Sequence, residues 1–253
     1  MLRFLLHTEN FTLHASDGEI GTSKDFFFDD ETWTVRYMVV HTGSWLFGKE
    51  VLISPFSFTD VDWGNRVIET ALTQEQIKNS PDIDSEKPVS RKKETEYLNY
   101  YGYPLYWGGP GLWGTAAYPT AVTMLTKEEE KKEGEKEEPE ESSGEAHLRS
   151  ANEVQGYRIH ALNDRVGHAE EFLFEEDSWR IRYMVVETRN LLPGRNVILS
   201  PEWIREIDWG SSEVIVDLLA ETIQNSPEVD LETPITREEE ETLFNYYEFP
   251  RYW

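Results

Sequence analysis

The sequence predicts a mainly β protein with short helices: two tandem small β-barrels of about six strands each, each followed by a helical aromatic tail. Three observations lead there. Residues 11–107 and 157–253 align without a gap, with about 37 of 97 positions identical, so the chain is an internal duplication. The strongest segments alternate apolar and polar residues with a period of two, as a strand with one buried face does. The aromatic residues, 9 Trp, 12 Tyr and 12 Phe, supply large buried areas from an apolar fraction of only 38%.

Within copy one, Thr12-Leu13-His14 reads as a first strand. Phe26-Phe27-Phe28 and the acidic turn Asp29-Asp30-Glu31 open a hairpin whose charged tip stays in water. Its return strand carries Trp33, Val35, Tyr37 and Val39 on one face, repeated as Trp179, Ile181, Tyr183 and Val185 in copy two. Met38 and Val40 make the far end of this strand apolar on both faces, which calls for a cover. Thr42-Gly43 and Gly48 bracket a turn, and Glu50 to Ile53 forms a strand ended by Ser54-Pro55. Phe58 to Trp63 and Arg66 to Leu72 are two more strands around Trp63-Gly64-Asn65. Thr73 to Lys78 reads as a short helix stopped by Asn79-Ser80-Pro81, and a second helix follows Pro88 and runs to about Tyr101. Thr236 and Glu239 have capping-box spacing in copy two, where copy one has the weaker Ser90 and Lys93.

These elements divide the chain into a first domain with its tail over 1–107, a connector over 108–150 and a second domain with its tail over 151–253. Residues 108–126 carry too many Gly and Pro for a spanning helix and read as a strap along the barrels. Residues 127–145 are almost all Glu, Lys, Gly, Pro and Ser, the composition of an unstructured linker.

A formal charge of −25, from 49 acids against 24 bases, repels phosphate backbones and anionic headgroups. Nucleic acid is therefore excluded as an expected partner, as is direct membrane insertion. The absence of cysteine removes disulfides, thiolate nucleophiles and Cys-ligated metal. Arg3 is followed by only three apolar residues, far short of a signal peptide, so a cytoplasmic protein is expected. No cofactor or metal is expected.

Several of these segments together resemble the PRC-barrel family, named for the cytoplasmic barrel of the photosynthetic reaction centre H subunit and shared with the C-terminal domain of the ribosome maturation factor. The resemblance rests on the Trp33-to-Val40 strand after Phe28-Asp29-Asp30, on Lys49 to Pro55, on Asn79 to Asp84 and on the closing Tyr100-to-Trp107 run. It covers both copies and not the connector. It implies a small barrel with a following helical tail in each copy, no shared catalytic residues, and adaptor or scaffold duty. The function expected is thus non-catalytic protein binding, by a homo-oligomer, with a dimer the simplest case. A sensor of a cation or small ligand, a protein supporting a photosynthetic reaction centre, and a carboxylate-based enzyme are the alternatives.

The candidate interface is the aromatic tail: Tyr100, Tyr101, Tyr106 and Trp107, with Tyr246, Tyr247, Tyr252 and Trp253. The plain alternative is a tail folded back over its own barrel. Asp84, Arg91 and Glu94 are kept as Asp230, Arg237 and Glu240 and read as an ion pair tying helix to loop, or as an anion site. Asp62 and Asp208 beside Trp and Gly read as turn caps. Asp82-x-Asp84-x-Glu86 and Glu228-x-Asp230-x-Glu232 begin like a calcium loop but lack its later Gly, and are expected to be solvated carboxylates. His14 and His160 correspond across the copies and read as hydrogen-bonded structural residues.

Overall fold

The structure is a computed structural model that describes residues 1–43, 46, 48–81, 89–119, 147–188 and 194–253. It is mainly β, with two seven-stranded sheets and five short α-helices among the described residues. The chain opens with β1 (Leu2–Phe4). Copy one supplies β2 (Thr12–Ala15), β3 (Gly18–Asp29), β4 (Thr34–His41), β5 (Glu50–Ile53), β6 (Phe58–Asp62) and β7 (Val67–Thr70), then α1 (Gln74–Lys78) and α2 (Arg91–Tyr101). Next come β8 (Leu148–Ser150) and α3 (Ala151–Val154). Copy two repeats the order as β9 (Arg158–His160), β10 (Arg165–Glu175), β11 (Ile181–Thr188), β12 (Arg195–Leu199), β13 (Ile204–Asp208) and β14 (Glu213–Val216), closed by α4 (Ala220–Gln224) and α5 (Arg237–Tyr247).

Two compact units result. The copy-one unit is Thr8–Ser150 with Asp177–Trp179, and the copy-two unit is Met1–His7, Ala151–Glu176 and Arg180–Trp253. This differs from the boundaries expected at 107 and 151, and the reason lies in the long strands β3 and β10. In the copy-one unit the strand order is β5-β4-β3-β2-β7-β6, with β2 parallel to β7. Strand β2 pairs only as far as Thr22 on β3, which leaves the backbone of Phe27 to Asp29 open along that edge. β8 fills it, antiparallel, with Phe27 opposite Ser150. The copy-two unit has the same order, β12-β11-β10-β9-β14-β13, and there β1 fills the matching edge, with Leu173 opposite Phe4.

β1 and β8 are themselves repeats, Leu2-Arg3 matching Leu148-Arg149 at the spacing of the duplication. Arg3 Nε donates to Glu176 at 2.9 Å, and Arg149 Nε donates to Asp30, the residue matching Glu176, at 3.0 Å. The duplication therefore reaches beyond residue 11, and the strand before each copy completes the sheet of the other copy.

The strand is buried on both faces from Thr34 to Val40: the apolar far end is covered, but the one-sided burial expected from its alternation does not hold, since Thr34 and Arg36 are buried too, and Trp33 and Trp179 precede β4 and β11 instead of lying on them. Both long strands bulge at matching places, between Ser23 and Asp25 and between Ala169 and Glu171. Nearby, Gly21 and Gly167 let a neighbouring strand pass: a Cβ would lie 2.0 Å from the His41 carbonyl and 1.9 Å from that of Glu187. The kept Trp33 and Trp179 have φ of 52° and 58°, left-handed values that cost a non-glycine residue about 1 kcal/mol each.

Helix starts follow their side chains. The Thr236–Glu239 capping box forms in full, and Ser90 caps α2 without a reciprocal bond. A third start, Thr73 with Gln76, is also a complete capping box. The acidic 127–145 linker and the loop from Asp82 to Glu86 lie outside the described residues. No helix among the described residues is long and apolar enough to cross a membrane.

Candidate functional site

The strongest polar constellation inside each unit joins the two features singled out from the sequence, the aromatic tail and the kept Arg–Glu pair. In copy one, α2 turns Arg91 and Glu94 toward β4, where Tyr37 points inward. Past Gly102, whose φ of 69° ends the helix, the chain reverses and returns Tyr106 to the same spot. Tyr106 Oη donates to Glu94 Oε1 at 2.5 Å and Tyr37 Oη reaches the same oxygen at 3.3 Å. Arg91 Nη1 lies 3.3 Å from Glu94 Oε2, and its Nη2 3.4 Å from Asp29 Oδ2.

Copy two repeats this core: Tyr183 and Tyr252 each bond Glu240 Oε1 at 2.7 Å, and Arg237 pairs with Glu240 at 2.9 Å. One partner differs. Asp29 pairs with Arg91, whereas its counterpart Glu175 pairs with Arg182 at 2.9 Å. A cavity of roughly 370 Å³ opens beside the copy-two cluster, lined by Glu175, Ile235, Arg237, Glu240 and Tyr252 among others.

Burial sets the electrostatics. It pushes the Glu94 carboxyl up to about 7, against the Tyr106 hydrogen bond and the Arg91 charge, which favour the ionised form. Burial likewise raises Tyr37 and Tyr106 well above the usual tyrosine value, with the Glu94 charge adding to it. For Arg91 burial acts downward, but Tyr106, Glu94 and Asp29 outweigh it and raise the guanidinium. Arg36 is lowered by burial, and it stacks 3.9 Å over the Tyr106 ring. The cluster's oxygens are thus engaged with one another, an arrangement that ties tail, helix and sheet together.

The tail residues divide by burial. Tyr101, Tyr106 and Tyr247 are buried in their own units, so for them the fold-back arrangement holds. Trp107 is half-buried and stacks on Arg91. Tyr100 and Tyr246 are exposed, yet each donates to a carbonyl of the short helix region, Gln76 and Thr222, at 2.8 Å. Trp253 is 44% exposed, with Phe249, which the sequence reading passed over, at 39%.

Asp84 lies outside the described residues. Its counterpart Asp230 accepts from Glu232 N, and Arg237 turns to Glu240 instead. Glu228 of the calcium-like segment pairs with Arg195. Asp62 caps its turn through Asn65, and Asp208 through Gly210 and Ser211; these bonds hold both carboxyls below the usual range. His14 bonds Glu69 at 3.0 Å, and His160 accepts from Arg165.

One group escaped the sequence reading. His168 Nε2 lies 3.3 Å from Glu170 and 3.1 Å from Glu187, and the three ligand atoms fall within 4.8 Å of one another. His168 faces Glu187 across the β10–β11 pair, and the bulge re-aims Glu170 toward them. His-x-Glu two apart on a strand was the available signal. Copy one has Thr22, Lys24 and His41 instead. Compared with known families and with curated proteins, the chain matches no family model and no curated sequence.

Proposed function

We propose that this protein is a non-catalytic adaptor or scaffold built from two PRC-barrel-like modules. The observation that carries the reading is the closed tail cluster. Glu94 and Glu240, the buried carboxylates best placed for acid–base work, spend their oxygens on two tyrosines and an arginine that anchor each tail. What remains exposed at the copy-two tail is aromatic surface, Phe249 and Trp253, suited to protein contact.

Strand connectivity supports the barrel part of the reading. β5 and β6 stand at opposite ends of the sheet order, yet only the short 3-10 turn Pro55–Ser57 separates them. Five residue steps reach at most about 18 Å, whereas a flat six-strand path would set its outer strands about 24 Å apart. The sheet has to curl, and the matching turn Pro201–Trp203 imposes the same on copy two.

The test is affinity capture from the native cell with the full chain and with a Phe249→Ala, Trp253→Ala double variant. Truncating the tail is unsuitable, because Leu243, Phe244 and Tyr247 of α5 belong to the core. Loss of specific proteins with the variant supports the reading; identical recoveries from both baits refute a tail interface. A second reading, cation sensing, is favoured by the His168 group alone. Against it, His168 Nδ1 is buried and has no hydrogen-bond partner among the described residues, where metal-bound histidines hold their second nitrogen in a hydrogen bond. Zinc that raises the thermal midpoint of the wild type but not of His168→Ala would support it, and no shift would dismiss it.

A further inference from the structure

One pair of neighbouring loops has changed character between the copies while keeping its backbone. In copy one, Ser16 N donates to the Leu72 carbonyl and Gln74 N to Asp17 Oδ1, both at 2.8 Å. In copy two, Leu162 N donates to the Leu218 carbonyl and Ala220 N to Asn163 Oδ1, both at 2.9 Å. The framework is the same, and the side chains it presents are not: Ser16 and Thr73 of copy one are Leu162 and Leu219 in copy two. These leucines are 57% and 44% exposed. By itself the exchange disfavours the fold. Thr73 starts α1 with a complete capping box, whereas Leu219 stands at the same place before α4 and makes no side-chain cap bond. Both leucines also leave apolar surface in water. Two adjoining substitutions that cost stability and enlarge one apolar patch point to use of that patch.

Charge indicates what the patch takes. Asp164 stands two residues after Leu162, where copy one has Gly18, and Glu221 stands two after Leu219. Both are exposed. Asp164 accepts from the backbone of Arg165 and Glu221 from the Asn163 amide, and neither carboxylate pairs with a cation among the described residues. The arginines of the adjoining strands are engaged elsewhere, Arg165 with Glu213 at 3.1 Å and Arg205 with Asp217 at 3.3 Å. Each leucine is thus flanked by an uncompensated negative charge, which favours a basic occupant and disfavours an acidic one. The patch is also continuous with the exposed tail: Asp217 N donates to the Trp203 carbonyl at 3.2 Å, and the Trp203 ring stacks on Phe249 at 5.0 Å.

We propose that the copy-two surface around Leu162 and Leu219 docks a basic amphipathic segment of a partner protein. The segment's apolar side chains cover the two leucines, and its lysine or arginine heads meet Asp164 and Glu221. This rests on the adaptor reading and specifies the partner's chemistry.

The probe is a fluorescein-labelled amphipathic helical peptide made of leucine and lysine only, titrated with the full chain and followed by anisotropy. Saturable binding is expected, weakened about tenfold or more by the Leu162→Ser, Leu219→Thr double variant, which restores the copy-one residues and leaves the charge unchanged. That variant should melt no lower than the wild type, because it regains a cap. Asp164→Asn with Glu221→Gln should also weaken binding and flatten its salt dependence. No saturation, or equal binding by the wild type and either variant, would overturn the proposal; equal binding by the leucine variant would reduce the contact to general attraction for an acidic chain. A lowered melting midpoint of the leucine variant would overturn it too, by making the leucines part of the core packing. Light scattering tests the other occupant: a wild-type dimer that the leucine variant turns into a monomer would assign the surface to a second copy of this chain instead. Partner capture that depends on the tail, with no leucine-dependent peptide binding, would sink this site and leave the adaptor reading standing.

Discussion

Glu94→Gln removes a charge from the copy-one cluster while keeping an oxygen that accepts from Tyr106. The carboxyl is 1% exposed and pushed from 4.5 up to about 7. Because the folded state holds this proton more tightly than the unfolded chain, the stabilisation is complete below pH 4.5 and is lost as pH rises through 7. At about 1.4 kcal/mol per unit, the loss comes to about 3 kcal/mol. Amide exchange followed by mass spectrometry on peptides from α2 reports the copy-one unit by itself. Between about pH 5 and about pH 8, after correction for intrinsic exchange, the wild type should lose about 3 kcal/mol more protection than Glu94→Gln. Charge repulsion elsewhere in this acidic chain affects both proteins and cancels. Equal pH dependence in the two would refute the view that a buried carboxyl, made to hold its proton by desolvation, anchors the tail.

Three further outcomes follow from the backbone. Glu248 ends α5 with a φ of 57° where copy one has Gly102, so Glu248→Gly should stabilise the copy-two unit by about 0.5–1 kcal/mol in urea unfolding. Gly167→Ala places a Cβ 1.9 Å from the Glu187 carbonyl oxygen, and the β10–β11 pairing must part to admit it. A loss of about 3 kcal/mol or more is expected, visible as a lowered thermal midpoint. Leu148→Asp puts a carboxylate at a 2% exposed site on β8 and should raise amide exchange in Phe26 to Asp29 while sparing β10.

Much of the framework was legible because its signals are local. The strand itself, the turn residues and the capping spacing of Thr236 with Glu239 each report on neighbours a few residues away and appear where expected, but the alternation from Trp33 misled: Trp33 stands in the turn before β4, and Thr34 and Arg36 are buried because the opposite face is covered as well. The kept Arg–Glu pair was also visible, since residues three apart share a helix face. Its tyrosine partners were not, because Tyr37 and Glu94 meet only after the sheet forms. The exchange of β1 and β8 escaped for a similar reason: a three-residue strand carries no periodicity, and Leu-Arg is too short to declare a repeat. Trp113 looked like part of a loose strap, yet it is among the most buried side chains of the molecule. Its burial depends on Phe56 and Arg36, far away in sequence.

The crossed strands alter what the connector is needed for. A nick anywhere between residues 120 and 146 would yield two fragments, each carrying the strand that the other's sheet uses. Neither fragment could depart without surrendering β1 and β8 together, along with the Arg3 and Arg149 ion pairs. Two clasps fastened in opposite directions make the peptide link between the repeats mechanically redundant once both sheets have formed.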